Sequence, residues 1–273
     1  MDIESYFHYE FIWRALIAGS FIAVCCSILG VLLVLRRFSL IGDGLAHVTF
    51  GSVAVGLLFK QHPVYFSIPI VMASSLGILK LTEKARLYGD AAIGIVSSVG
   101  IAGGIIIASV AGGFNIDIFS FLFGNILAIS QTEVLTSIGL SVAVLLVIFF
   151  FYHEHFSTAF DEEFARISGI DTGKMNAILV LLTGITVVLA MKIVGIMLTS
   201  SLLILPPVTA LQIARSFRKT MVVSSLCGIV SVIIGISASF VLNLPTGATI
   251  VIVNFLIFVA AYFYRNTLQT RYH

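Results

Sequence analysis

Charge is what this sequence has least of. Only 10% of its 273 residues are Asp, Glu, Lys or Arg, against about 25% in soluble domains. A water-facing surface of ordinary composition cannot be assembled from so few. The net charge of +2 supplies no basic face, so no nucleic-acid partner is expected. Cysteine is scarce as well: there are 3, Cys25, Cys26 and Cys227, all in apolar runs. Cys25 and Cys26 point to different sides of a helix, which makes a mutual bridge unfavourable and leaves them as small apolar fillers. The sequence has no phosphate-cradling Walker loop, so ATP hydrolysis by that route is not expected of this chain. MDIESYFHYE has no basic stretch of the kind that opens a cleaved leader, and the first apolar run is read as a span.

What the chain has is apolar length. It is 59% hydrophobic with a mean hydropathy of +1.12. A spanning helix needs about 20 mostly apolar residues. Runs of that size cover 11–35, 38–59, 64–81, 91–111, 134–152, 175–194, 195–214, 221–242 and 246–264. The expectation is an all-α polytopic membrane protein, a single transmembrane domain over 1–273 with about nine crossings. Lys192 and Gly195 alone punctuate the sixth and seventh runs, which predicts a tight hairpin. Residues 114–130, FNIDIFSFLFGNILAIS, are shorter and are interrupted by Asn115, Asp117 and Asn125. They read as a re-entrant half-helix lining protein or water, with a tenth span as the alternative.

Alternate gaps between the runs differ sharply in basic residues. One set holds Arg36, Arg37, Lys80, Lys84, Arg86, Arg166, Lys174, Arg215, Arg218, Lys219, Arg265 and Arg271; the other holds Arg14, Lys60 and Lys192. The richer side is the cytoplasm, which places the N-terminus outside and the C-terminus inside. The longest polar segment, 153–174, falls on that inner side. Phe156, Phe160, Phe164 and Ile167 recur in it at helical spacing, and Gly169 stands where such a helix would stop. This predicts one short amphipathic helix, outside the membrane, in need of a partner surface. His153-Glu154-His155 reads either as a metal grip or as a solvated loop.

Nearly every acid and histidine lies in a tail, loop or span end. Asp43 and His47 are the exceptions, both inside the second run. An ionisable residue within a span is costly and is a functional candidate by default. Positions i and i+4 share one helix face, and carboxylate oxygen and imidazole nitrogen ligate Zn²⁺ and Mn²⁺. The competing reading is an internal Asp–His contact that holds helices together. One chain offers two ligands where zinc takes about four, so a two-fold homodimer would complete the site. Thr199 and Ser200 offer hydroxyls, and Pro206-Pro207 would kink their helix. Gly94, Gly100, Gly103 and Gly104 suggest close helix packing.

Three stretches resemble the permease subunits of bacterial ABC importers for zinc and manganese, over about residues 15–263. LVLRRFSLIGDGLAHVTFGSVAVG (33–56) is similar to the family's first cytoplasmic turn and metal-site helix, IDIFSFLFGNILAIS (116–130) to its extracellular half-helix, and VGIMLTSSLLILPPVTA (194–210) to its kinked pore helix. The resemblance implies a type II importer-like permease with Asp43 and His47 as cation ligands. It implies a pathway past Asp117, Asn125, Thr199, Ser200 and Pro206. It implies a coupling helix over 156–170, with Phe160, Glu162, Glu163, Ala165 and Gly169 meeting the ATPase. No cofactor is held permanently: the cargo is Zn²⁺, or Mn²⁺ (or iron), and ATP is bound by the partner. The partners implied are a second copy, two ATP-binding cassette subunits and an extracellular metal-binding protein, in the bacterial plasma membrane. Gly44 and Ala46 between the two ligands are more like the zinc members. The rival of another class is a self-sufficient channel or proton-coupled carrier using Asp43 as a relay.

Overall fold

The second apolar run does not become helical at its first residue. In the computed structural model, which describes residues 10–85, 87–110, 123–124, 130–191 and 194–270, α1 (Glu10–Leu35) is followed by a tight turn before α2 (Ile41–Leu58). The turn is closed by Phe38 N–H on the Leu33 carbonyl and Arg37 N–H on the Val34 carbonyl, with Arg37 in the left-handed region at φ 60°. α3 (Pro63–Glu83), α4 (Gly89–Val110) and α5 (Gln131–Phe150) come next. Two short helices follow, α6 (Tyr152–Phe160) and α7 (Glu162–Ile167). The chain then re-enters the bundle as α8 (Thr172–Ala190), α9 (Ile196–Ile213), α10 (Phe217–Leu242) and α11 (Thr246–Thr270). Every regular element among the described residues is a helix.

Among the described residues, eight helices are long and apolar enough to cross a membrane, and α9 adds the shorter apolar stretch Thr199–Ile213. That accounts for the nine expected runs. The expected half-helix at 114–130, with Asp117 and Asn125, lies almost wholly outside the described residues. The tight hairpin is present as far as it is described: Val194 N–H returns to the Ala190 carbonyl at 2.9 Å, and Gly195 takes φ 93° to open α9.

Helices α1, α2 and α8 form the centre, each 67% buried over its apolar window, whereas α4 is 17% buried. Close packing relies on glycine at a few sites. A Cβ on Gly30 would lie 2.2 Å from the Leu203 carbonyl oxygen, and one on Gly51 would lie 2.4 Å from that of Gly100. The expectation for the α4 glycines is corrected in half its members. Gly100 and Gly104 do meet α2 backbone at 2.8 Å, but Gly94 and Gly103 have nothing within 4 Å. The four share a helix yet not a face.

Candidate metal centre

α2 carries its small residues (Gly42, Gly44, Ala46, Gly51, Ser52, Ala54 and Gly56) on buried positions. Its half-open positions are Asp43, His47, Phe50, Val55 and Leu57. Asp43, His47 and Phe50 follow helical spacing, so this face of the first turns of α2 stays accessible. Asp43 lies in the first turn, where the unpaired N–H groups of a helix favour a carboxylate.

His47 Nε2 stands 3.7 Å from Asp43 Oδ2, with side-chain exposures of 20% and 50%. That is too long for a good hydrogen bond. It is close to the separation of about 3.4 Å between two ligands on one tetrahedral zinc ion with arms of about 2.0–2.1 Å. An Asp–His pair within α2 and two ligands of one cation share this spacing. No cluster of three or more His, Cys, Asp or Glu exists among the described residues. A single chain offers two such donors side by side on α2.

Gly44 turns away from this face: its Cβ would lie 2.5 Å from Ile93 Cγ2 on α4. Ala46 is buried. Both residues are explained by helix packing. α9 reaches the site through Leu203, whose Cδ1 would be 2.4 Å from a Cβ on Gly42. Thr199 on α9 is buried and gives its hydroxyl proton to the Gly195 carbonyl at 2.8 Å, so its oxygen serves its own backbone. Ser200 is half-buried; Pro206 and Pro207 are inside the helix and buried.

The expected single helix at 156–170 is broken. Asp161 adopts extended backbone (φ −150°) and accepts the Phe164 N–H at 2.9 Å, ending α6 and capping α7. Gly169, at φ 87°, closes α7 with N–H bonds from Gly169 to Arg166 and from Ile170 to Ala165, the Schellman pattern. Two of the expected coupling residues turn inward. Ala165 is fully buried and seats α7 on the bundle. Glu162 accepts Arg36 Nη2 at 3.1 Å and Asn176 Nδ2 at 3.3 Å. Phe160, Glu163 and Gly169 remain exposed, joined by Phe164 and Ile167. The His153–His155 stretch is helical, and His155 is 2% exposed. Burial, then the Arg36 charge, pushes its imidazole down to about 4.

Arg36 was not singled out in the sequence, where it looks like its neighbour Arg37. Its side chain is 6% exposed and donates to Asn176 on α8 as well as to Glu162 on α7; Asn176 also reaches Glu83 on α3 at 3.5 Å. This cluster ties α3, α7 and α8 to the turn that launches α2, and Arg36 stands seven residues before Asp43. A tyrosine and phenylalanine group (Tyr152, Phe156 and Phe160 around Phe217) fastens α6 to the start of α10.

Comparison with known proteins agrees with this architecture. A sequence profile described as "ABC 3 transport family" matches residues 8–265. The chain is 32% identical over 262 residues to the "Manganese transport system membrane protein MntC" of Listeria monocytogenes, covering 96% of this chain and 93% of that one. It is 29% identical to the "High-affinity zinc uptake system membrane protein ZnuB" of Haemophilus influenzae, covering 95% and 100%. The solved structure "PsaBC from Streptococcus pneumoniae in complex with Fab" superposes with a TM-score of 0.83 at 29% identity, covering 95% of this chain and 94% of that one.

Proposed function

From the premise that this chain belongs to the ABC 3 transport family, as a multi-pass permease subunit and not an enzyme, we propose that it imports zinc by alternating access. The observation that carries the proposal is the Asp43–His47 pair on the accessible face of the first turns of α2. In this reading two copies meet along that face. Two carboxylates and two imidazoles then surround the cation at the dimer axis, replacing its water shell.

The richer set of basic loops lies in the cytoplasm, together with α6 and α7. A separate ATPase pair docks there on Phe160, Glu163, Phe164, Ile167 and Gly169, and an extracellular metal-binding protein delivers the ion at the opposite end. Closure of the ATPases pushes α7. Glu162 passes that push to Arg36, and Arg36 passes it to the α1–α2 turn, so the two metal ligands move with the nucleotide cycle. The chain itself forms and breaks no covalent bond.

Manganese is the second reading, supported by relatives named for manganese transport. Gly44 and Ala46 do not decide between the metals, because packing against α4 and burial already account for them. Zinc is favoured by the imidazole donors. The test is uptake into vesicles reconstituted with and without the ATPase, with Zn²⁺ and Mn²⁺ competing. ATP-dependent zinc uptake should fall at least tenfold in Asp43→Ala and in His47→Ala. Transport that persists without the ATPase would instead establish a channel or carrier.

A further inference from the structure

A second imidazole and carboxylate face one another at the other end of the bundle. His62 Nε2 lies 3.5 Å from Glu133 Oε1. This is again longer than a good hydrogen bond and close to the ligand–ligand edge of about 3.4 Å around a zinc-sized ion. The two residues come from different helices. His62 is the N-cap of α3, its backbone held by the following Pro63 and by the Tyr65 N–H on its carbonyl at 3.2 Å. The preceding turn is closed by Lys60 at φ 53° and by the Gln61 N–H on the Gly56 carbonyl.

Glu133 is fixed independently. Its Oε2 accepts the Ser130 N–H at 3.0 Å while its own N–H donates to Ser130 Oγ at 3.3 Å. Its other oxygen, Oε1, is the one that faces His62. Between them opens a cavity of about 440 Å³, with Tyr65, Ser130, Thr132 and Thr136 at its polar rim and Ile68, Leu140 and Val188 among its apolar walls. The nearby Glu10 is already engaged by Arg14 at 2.5 Å and by Gln131 at 3.2 Å. Both donors of the pair are thus set at helix starts and line one cavity, where the Tyr65 and Thr132 hydroxyls add further oxygens.

We infer that His62 and Glu133 form a second divalent transition-metal site, where cargo lands before it crosses to Asp43 and His47. The sites are about 20 Å apart along α2, from the helix rise of about 1.5 Å per residue. Direct transfer between fixed ligands is excluded at that distance, so the ion leaves one site before it binds the other. The landing role rests on the importer reading; binding at the pair does not.

The test is Co²⁺ binding to the purified chain in lipid nanodiscs, followed by visible absorption. The Asp43→Ala/His47→Ala double variant should keep one Co²⁺ per chain. Adding His62→Ala or Glu133→Gln should weaken that binding at least tenfold. Glu133→Gln preserves the cap, because Gln serves at this capping-box position, so a loss there is not a folding defect. A double variant that binds no Co²⁺, or unchanged affinity after both further substitutions, overturns the site. If wild-type vesicles supplied with ATPase import no metal while the double variant keeps its Co²⁺, the importer reading fails and the site stands.

Discussion

A methyl group on Gly51 would sit 2.4 Å from the Gly100 carbonyl oxygen, which is backbone and cannot rotate away. Gly51→Ala should therefore force α2 from α4 and cost about 2 kcal/mol, as overpacking does. Gly94→Ala, with nothing within 4 Å, should leave the melting temperature in detergent unchanged or slightly raised. Equal losses in both variants would show that the α2–α4 approach is not the constraint. His155 gives a pH prediction. Its imidazole is held down to about 4 by burial, whereas in an unfolded chain it titrates near 6.5. Between those values the unfolded state binds more protons. Stability is then complete above about pH 6.5 and falls as the pH drops toward 4, by about 3 kcal/mol at most. Thermal melts across that range should show the decline in the wild type. His155→Leu should flatten it.

Among the elements, α6 and α7 show how one acid can override a periodic apolar pattern. Phe156, Phe160, Phe164 and Ile167 keep helical spacing, yet Asp161 accepts the Phe164 N–H and starts a new helix. Short polar side chains compete with the backbone in this way and so favour caps. Asp161→Ala should cost α7 about 1 kcal/mol, seen as an amide exchange rate about fivefold faster at Phe164. Faster exchange confined to α6 would contradict the assignment. α9 shows a different balance. Pro206 and Pro207 have no N–H to give to the preceding turn, and the Leu203 carbonyl lies where a Cβ of Gly30 would be, at 2.2 Å. The proline-bearing helix fits because its neighbour is bare there.

At the scale of the whole molecule, large apolar side chains cover the outside of the bundle as well as filling its core. α4 and α11 expose Ile105, Ile106, Val110, Ile252, Phe255 and Leu256, which is costly in water and not in lipid. Two interhelical ion pairs mark the two ends: Arg36 with Glu162 at one, His62 with Glu133 at the other. The exposed residues of α6 and α7 place the proposed ATPase contact beside the Arg36 cluster. Gly169→Arg should reduce co-purification of the ATPase at least fivefold while the permease still melts cooperatively, since a side chain at Gly169 meets nothing within 4 Å and the left-handed backbone costs only about 1–2 kcal/mol. Undiminished co-purification would remove Gly169 from the interface.

The features legible in the sequence were local. Apolar run length determined the lipid environment and, among the described residues, eight helices of spanning length. Spacing of i and i+4 determined that Asp43 and His47 share a face, and a lone Gly169 determined where α7 stops. Each follows from the pitch of a helix or the φ freedom of one residue. Tertiary structure alone decided that Arg36 is buried while Arg37 is not, because its partners Glu162 and Asn176 are 126 and 140 residues away. It decided that Ala165 points inward, and that His62 and Glu133, on separate helices, stand 3.5 Å apart. Helical period says which residues share a stripe. Which neighbour that stripe meets depends on how distant helices pack.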